Sequence, residues 1–448
     1  MFKVLIHKLG IDKSIAYSSG ARVVQSFTGV IGIFFIAQFL SKAEQGFYYT
    51  FGSILAIQVF FELGLTTIIT QYVAHEMSGL KWVDNVNLTG NQRNHSRLAH
   101  LLRFCVKWYS IICIIRLLVL IISGYVFFNY YSPVNEKINW EAPWILVSIG
   151  TIINLFISPL LSIVMGLDRV KDVMKMRFYQ QLIIPLSSWL GLAIGFNLYV
   201  LGISSILSVL YVAIYSFKSD IKDILCNLWE VKITEKVGYR SEIFPYQWRI
   251  ALSWISGYFI YQIFNPVLFA TEGPIVAGQM GMTLTALNGI SAFSQSWINT
   301  KIPLMSKLIA LKKYLELDRI FHSTFKQVSF ICFLLLIIFI VAIWGLKFTG
   351  ISLGYRFLNW VPLIMMIIPL YLNQWIFCMG TYIRCHKKEP FLINSIVIAV
   401  LCSLSTIIMG KFYGVNGITT GYCIITVINL FWVYEIFNRE KKEWHTVT

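Results

Sequence analysis

The chain has 448 residues, 57% of them hydrophobic and only 13% charged, with a formal net charge of +16 and a mean hydropathy of +0.68. Globular domains carry about 25% charged residues, so this chain cannot cover itself with polar surface and takes lipid as its solvent. Long disordered regions, collagen and small disulfide scaffolds are excluded, and the positive charge reads either as a nucleic-acid surface or as the basic loops of a polytopic membrane protein.

A helix needs about 20 mostly apolar residues to cross a bilayer. The first half has six such runs, at 17–40, 47–73, 109–128, 144–165, 178–196 and 198–217. The fifth and sixth are separated only by a turn at Asn197. The second half adds 250–269, 275–297, 328–346, 357–382, 391–409 and 415–437. The basic segment before the first run superficially suits a signal peptide, but the run is too long, contains Arg22 and ends without a small-x-small cleavage site. Loop 78–100 alternates polar and aromatic residues and leads into Leu101, Leu102 and Cys105 beside Arg97, Arg103 and Lys107, a pattern expected of an interfacial helix on anionic headgroups. Asn87-Leu88-Thr89 is a sequon on the cytoplasmic side and is expected to be unused.

With twelve spans and both termini cytoplasmic, the opposite face receives only Lys42, Lys137, Lys347, Arg356 and Lys411, while Arg22 and Arg116 lie within spans. The rest of the 37 Lys and Arg residues fall on the cytoplasmic face. This is the positive-inside distribution, and it accounts for the net charge without nucleic acid. The eight cysteines never approach CxxC spacing and sit mostly in apolar runs, so they read as small core residues, not as metal ligands or bridges. No nucleotide, zinc or nucleophile motif is present, and no cofactor is expected.

The polar connector 218–246 separates six spans from six. The expected architecture is an all-α polytopic membrane protein of about twelve transmembrane helices in two pseudo-symmetric six-helix bundles around a central cavity. Its parts are residues 1–217, the cytoplasmic connector 218–246, and residues 247–448 with a cytoplasmic tail. A shift of 227 positions sets Arg22 on Arg249, Ser26 on Ser253 and Gly46 on Gly273, an Arg-x3-Ser register at the inner mouths of spans 1 and 7. Parallel repeats of this kind are a transporter architecture.

The stretch from Arg22 through Ala37-Gln38-Phe39-Leu40-Ser41, Glu44-Gln45-Gly46-Phe47-Tyr48-Tyr49 and Phe60-Phe61-Glu62-Leu63-Gly64-Leu65 to His75-Glu76 resembles bacterial polysaccharide-biosynthesis membrane proteins. These are the O-antigen and capsule repeat-unit flippases of the multidrug/oligosaccharidyl-lipid/polysaccharide exporter superfamily. The resemblance implies an undecaprenyl-diphosphate-linked oligosaccharide as cargo, a cationic cavity, alternating access and coupling to an ion such as H+ or Na+. It also implies the bacterial inner membrane as location, with membrane lipids and polysaccharide polymerase machinery as partners.

Polar groups at bilayer depth are the candidate sites. Glu62 in span 2 and Arg116 in span 3 lie at depths that allow an ion pair, structural or ion-coupling. Ser18, Arg22, Gln25, Gly29 and Gly32 form one polar, small-residue stripe on span 1. In span 8, Gly281, Thr285, Asn288, Ala292, Gln295 and Asn299 form another, read as a cavity wall. Span 10 adds Asn373 and Gln374. With the cargo that the resemblance implies, Arg22 and Arg249 are expected to hold the diphosphate, the alternative being that they snorkel to phosphates of the cytoplasmic leaflet, and Gln25, Asn288, Gln295, Asn373 and Gln374 the sugars. The alternatives are an ion-coupled drug antiporter of the same superfamily, which wants acidic residues in its cavity, and a membrane polymerase or ligase on lipid-linked sugars. The longest outer loop, 129–143, is short for the extracytoplasmic domain such an enzyme uses, so transport is expected over catalysis.

Overall fold

The computed structural model describes residues 28–133, 138–386 and 390–445. It is an all-α membrane protein in which the described part of each of the twelve apolar runs falls largely on helix. The first three helical pieces, α1 (Thr28–Phe39), α2 (Lys42–Leu55) and α3 (Gln58–Glu62), are followed by α4 (Leu65–Glu76). Then come α5 (Gln92–Tyr131), α6 (Glu141–Gly166), α7 (Val170–Ile194), α8 (Tyr199–Lys218) and the short α9 (Ile221–Glu230). The second half contains α10 (Phe244–Tyr261), α11 (Phe264–Glu272), α12 (Pro274–Ala310), α13 (Tyr314–Phe348), α14 (Trp360–Cys385) and α15 (Leu392–His445).

Six of these helices are individually long and apolar enough to cross a membrane, and the span built from α2 to α4, bent by 40°, makes a seventh. The remaining runs sit on shorter, broken or more polar helices, a pattern consistent with twelve spans. α15 contains two runs. Gly414, at φ 57° and ψ −142°, interrupts its helical geometry between them. The turn between α7 and α8 is built the same way: Gly195 at φ 93° caps α7, and Asn197 at φ 44° turns the chain. Both conformations are cheap for Gly and tolerable for Asn.

Lipid acts as the solvent, and the helices show it. On α5, Tyr109, Ile112, Arg116, Leu120, Gly124 and Phe128 are buried at intervals of three and four, while Ile114, Leu118 and Ile122 are exposed. Apolar residues thus occupy both faces, with only the inward one packed. Trp144 of α6 closes onto α5, its indole N–H donating to the Leu120 carbonyl at 3.0 Å. Gly124 makes this possible, since a Cβ there would lie 2.1 Å from the Trp144 ring nitrogen.

Residues 80–90 of the loop form a hairpin, and the amphipathic stretch 97–107 lies on helix at the start of α5. Leu80–Trp82 (β1) and Leu88–Gly90 (β2) pair antiparallel, and only from Gln92 does helix begin. The Asp84 carboxylate accepts the N–H groups of Val86 and Asn87, both at 2.7 Å. That closes the hairpin and outcompetes a helix whose polar face would have had to pair its own backbone.

The chain forms two compact units. Among the described residues, the first contains residues 55–255 and the second residues 29–54 with 256–445. The connector 218–246 is therefore part of the first unit: α9 buries Ile221, Ile224 and Leu228, and Arg97 pairs with Glu242. Residues 29–54 are adjacent in sequence to the first unit yet pack with the second. The Gln45 side chain donates to the Gly278 carbonyl at 2.8 Å, and the Phe47 and Phe269 rings meet edge-on at 4.9 Å.

Candidate functional site

The second unit encloses a cavity of about 420 Å³ lined from α10, α11, α12, α14 and α15. α12 contributes Asn288, Ser291 and Gln295, spaced to share one face, and α14 contributes Asn373, Gln374, Gly380 and Arg384. α15 contributes Asn394, Ser395, Tyr422, Thr426 and Asn429, drawn from both sides of its break at Gly414.

These polar groups are tied to one another. Ser291 Oγ accepts from Gln374 Nε2 at 2.8 Å and from Gln295 Nε2 at 3.0 Å, joining α14 to α12. Asn373 Nδ2 donates to the Tyr422 hydroxyl at 3.0 Å, and Asn394 Nδ2 to Asn429 Oδ1 at 2.9 Å. Gln374 is almost completely buried, and its Oε1 has no hydrogen-bond partner. A buried amide oxygen without a partner is costly, on the order of 1–3 kcal/mol. Arg384 is the one charged side chain among the described lining residues, and none is acidic. Its guanidinium lies back along its own helix, where a Cβ at Gly380 would be 3.6 Å from Nη1.

Four of the residues singled out from the sequence, Asn288, Gln295, Asn373 and Gln374, meet in this cavity. The rest of the span 8 stripe does not all follow: Gly281 packs against Tyr49, whose Cβ a side chain there would approach to 2.3 Å. Ser291, Asn394, Tyr422, Thr426, Asn429 and Arg384 were not singled out. Asn394 and Asn429 carried a signal, as lone amides inside apolar runs. Arg384 was counted with the loop charges because it ends its helix. Arg22 and Gln25 lie outside the described residues. Arg249 stands on α10, its side chain is outside the described part, and an Arg22–Arg249 pair is therefore not addressed.

Glu62 and Arg116 both lie in the first unit but form no ion pair. The Glu62 carboxylate accepts from Thr66 Oγ1 at 2.6 Å and Gln58 Nε2 at 3.4 Å. Arg116, fully buried, donates to the carbonyls of Leu55 and Thr151, each at 3.4 Å. The two charges, together with Arg177 on α7, interact electrostatically through space. The depths that allow such a pair hold for unbroken helices, whereas span 2 is broken on either side of α3.

Beside the connector, Arg97 pairs with Glu76 at 2.9 Å and also bonds the Tyr72 hydroxyl and the Glu242 carboxylate. Burial tends to raise the Glu242 carboxyl, but the Gly238 N–H and the Arg97 guanidinium outweigh it and hold it below the usual carboxylate range.

No protein-family model and no curated protein sequence matches the chain. Solved structures do. A multidrug resistance MATE family transporter of the MOP superfamily, in its inward-facing conformation, superposes with a TM-score of 0.67 at 11% identity, covering 98% of this chain and 100% of its own. The MATE multidrug transporter DinF-BH gives 0.61 at 12% identity, over 96% of this chain and 95% of its own. The lipid II flippase MurJ, inward closed, gives 0.55 at 14% identity, over 94% of this chain and 86% of its own. The chain therefore has the fold that MATE transporters and the MurJ flippase share.

Proposed function

We propose that the protein is a flippase that carries undecaprenyl-diphosphate-linked oligosaccharide repeat units outward across the bacterial cytoplasmic membrane, for O-antigen, capsule or exopolysaccharide synthesis, by alternating access. The observation that carries this reading is the second-unit cavity, whose largely apolar wall is set with amides, hydroxyls and one arginine, with no carboxylate among its described residues. Sugar hydroxyls both donate and accept, and amides and hydroxyls answer both roles. At about 420 Å³ the cavity falls in the small-molecule range of about 300–1,000 Å³, enough for part of a glycan whose lipid tail stays in the bilayer. A cationic drug favours a carboxylate, so the antiporter reading has less to stand on. Arg22, Arg249 and Arg384 are the candidate diphosphate ligands, since the guanidinium fork matches phosphate oxygens. Glu62, half-buried at a broken helix, is the candidate for H+ or Na+ coupling.

The test is complementation of a flippase-deficient strain at matched protein abundance. Gln374→Leu and Arg384→Gln should each lower surface polysaccharide and accumulate lipid-linked precursor by about tenfold or more, the effect of losing roughly 1.4 kcal/mol of differential binding. Undiminished export by both variants would remove the cavity from the transport path. Resistance to a cationic dye, lost in the same variants, would favour the antiporter instead.

A further inference from the structure

Span 2 is divided between the two units, and the division coincides with a break in the helix. α2 ends at Leu55, where membership passes from the second unit to the first. Beyond it, Val59 N–H bonds the Ala56 carbonyl and Phe60 N–H the Ile57 carbonyl, three residues back instead of four. The Leu55 carbonyl is thereby released from the ladder, and Arg116 Nη2 from α5 donates to it. A broken span whose freed carbonyl is capped by a neighbouring helix can change its bend without exposing backbone to lipid.

The far end of α2 is held differently. Gln45, 1% exposed, donates to the carbonyls of Gly278 and Arg356 at 2.8 and 3.3 Å. Arg356 returns Nη1 to Gln45 Oε1 at 3.2 Å and Nη2 to the Leu40 carbonyl at 2.7 Å. Backbones touch beneath this clasp, since a Cβ on Gly46 would lie 1.9 Å from the Pro274 carbonyl oxygen. Further along α2, Ser53 Oγ accepts from Asn265 Nδ2 at 3.1 Å. Most of these bonds are hydrogen bonds at the end of the span, where water can replace them when they part.

We propose that α2 is a latched gate element: the Gln45–Arg356 clasp holds it against α12 and the turn before α14, and the break at 55–58, capped by Arg116, is the pivot on which it swings away. The clasp should set how often the α2 face opens, and the pivot should absorb the change.

The test uses the full-length protein in lipid nanodiscs, both faces accessible, with its native cysteines replaced. Ser53→Cys should react slowly with a soluble maleimide while the latch is closed. Gln45→Ala and Arg356→Gln should each raise that rate roughly five- to thirtyfold, the equivalent of one or two lost hydrogen bonds, with Arg356→Lys between them and the parent. Thr324→Cys, buried elsewhere in the second unit, should be unaffected. Amide exchange over 56–60 should exceed that in the middle of α2 and rise in Arg116→Gln. Unchanged Ser53→Cys reactivity in both variants overturns the latch. An equal rise at Thr324→Cys also overturns it, because the unit would then be loosening as a whole. Exchange at 56–60 as slow as in mid-α2 overturns the pivot.

Discussion

The two units handle buried polarity in different ways. In the second, Asn288, Gln295, Asn373, Gln374, Asn394 and Asn429 are neutral amides gathered around an open volume, and the acceptor Oε1 of Gln374 is left unused. In the first, the deep polar groups include the charged Arg116 and Glu62, which bond backbone carbonyls and neighbours one helical turn away, although Arg116 Nε has no partner. An amide can face a cavity at modest cost, whereas a charge at that depth must be satisfied by fixed dipoles. The amides of the second unit thus bond one another and hydroxyls along a cavity wall, whereas Arg116 donates to carbonyls of two other helices.

That contrast is broken most directly at Arg116. Arg116→Gln should destabilise the first unit by about 3 kcal/mol, since it strips two carbonyls of their donor at a fully buried position. Glu62→Gln should cost under about 1 kcal/mol, because a neutral side-chain oxygen still accepts from Thr66. Thermal unfolding of the detergent-solubilised protein measures both. In a double-mutant cycle the coupling should stay below about 1 kcal/mol, the value for residues that share a field but no contact. Coupling several times larger would restore the ion pair that the structure lacks.

Within the second unit, the amides should separate into structural and functional ones. Asn394→Leu alone leaves Asn429 Oδ1 buried beside an apolar group and should cost about 1–2 kcal/mol. Replacing both asparagines by Leu should recover most of that. Gln374→Met should cost less than about 1 kcal/mol, since the orphaned Oε1 is removed together with the bonds of Nε2. Unfolding midpoints compared with export at equal abundance check both expectations. Gln374→Met should lose transport with little loss of stability, and the double Asn variant should show how far the Asn394–Asn429 bond matters beyond folding.

Most of the helices were legible in the sequence, because hydropathy over some twenty residues reports the solvent and the solvent here is uniform. The turn at Gly195 to Asn197 and the break at Gly414 were legible for the same reason that they form, residues that accept positive φ at the ends of apolar runs. Four cavity residues were legible as amides at helical spacing on α12 and as neighbours on α14. The breaks around α3 were not. Ala56 and Ile57 are good membrane-helix residues, and Leu63, at φ 49°, is a residue whose side chain disfavours that conformation. Tertiary packing imposes these breaks, and with them went the depth estimate that paired Glu62 with Arg116. The division at residue 55 was illegible too, since it follows from which surfaces Gln45 and Phe47 meet.

The smallest effect expected is a pH response where the connector 218–246 meets α5. His100 Nδ1 accepts the Val237 N–H at 3.2 Å, fastening the connector to α5. Burial, and then the positive charges of Lys236 and Arg103, push the His100 imidazole below its ordinary value of 6.5. The fold thus favours the neutral ring. The stability this contributes is present above pH 6.5 and is lost as pH falls through the lower folded value, where protonation removes the lone pair that Val237 uses. Glu242, on the same connector, also sits below its ordinary value, 4.5 in its case, so its contribution is lost only in more acid solution. Lowering the pH from neutrality should therefore free the connector at Val237 first and at Glu242 later. Amide exchange at Val237, followed between about pH 7 and 5 and corrected for intrinsic rates, should show the first step, worth at most about 1 kcal/mol, one neutral hydrogen bond. His100→Asn keeps a neutral acceptor and should flatten it. A step that survives in His100→Asn would belong to another group, with Glu242 and its partner Arg97 the next to examine.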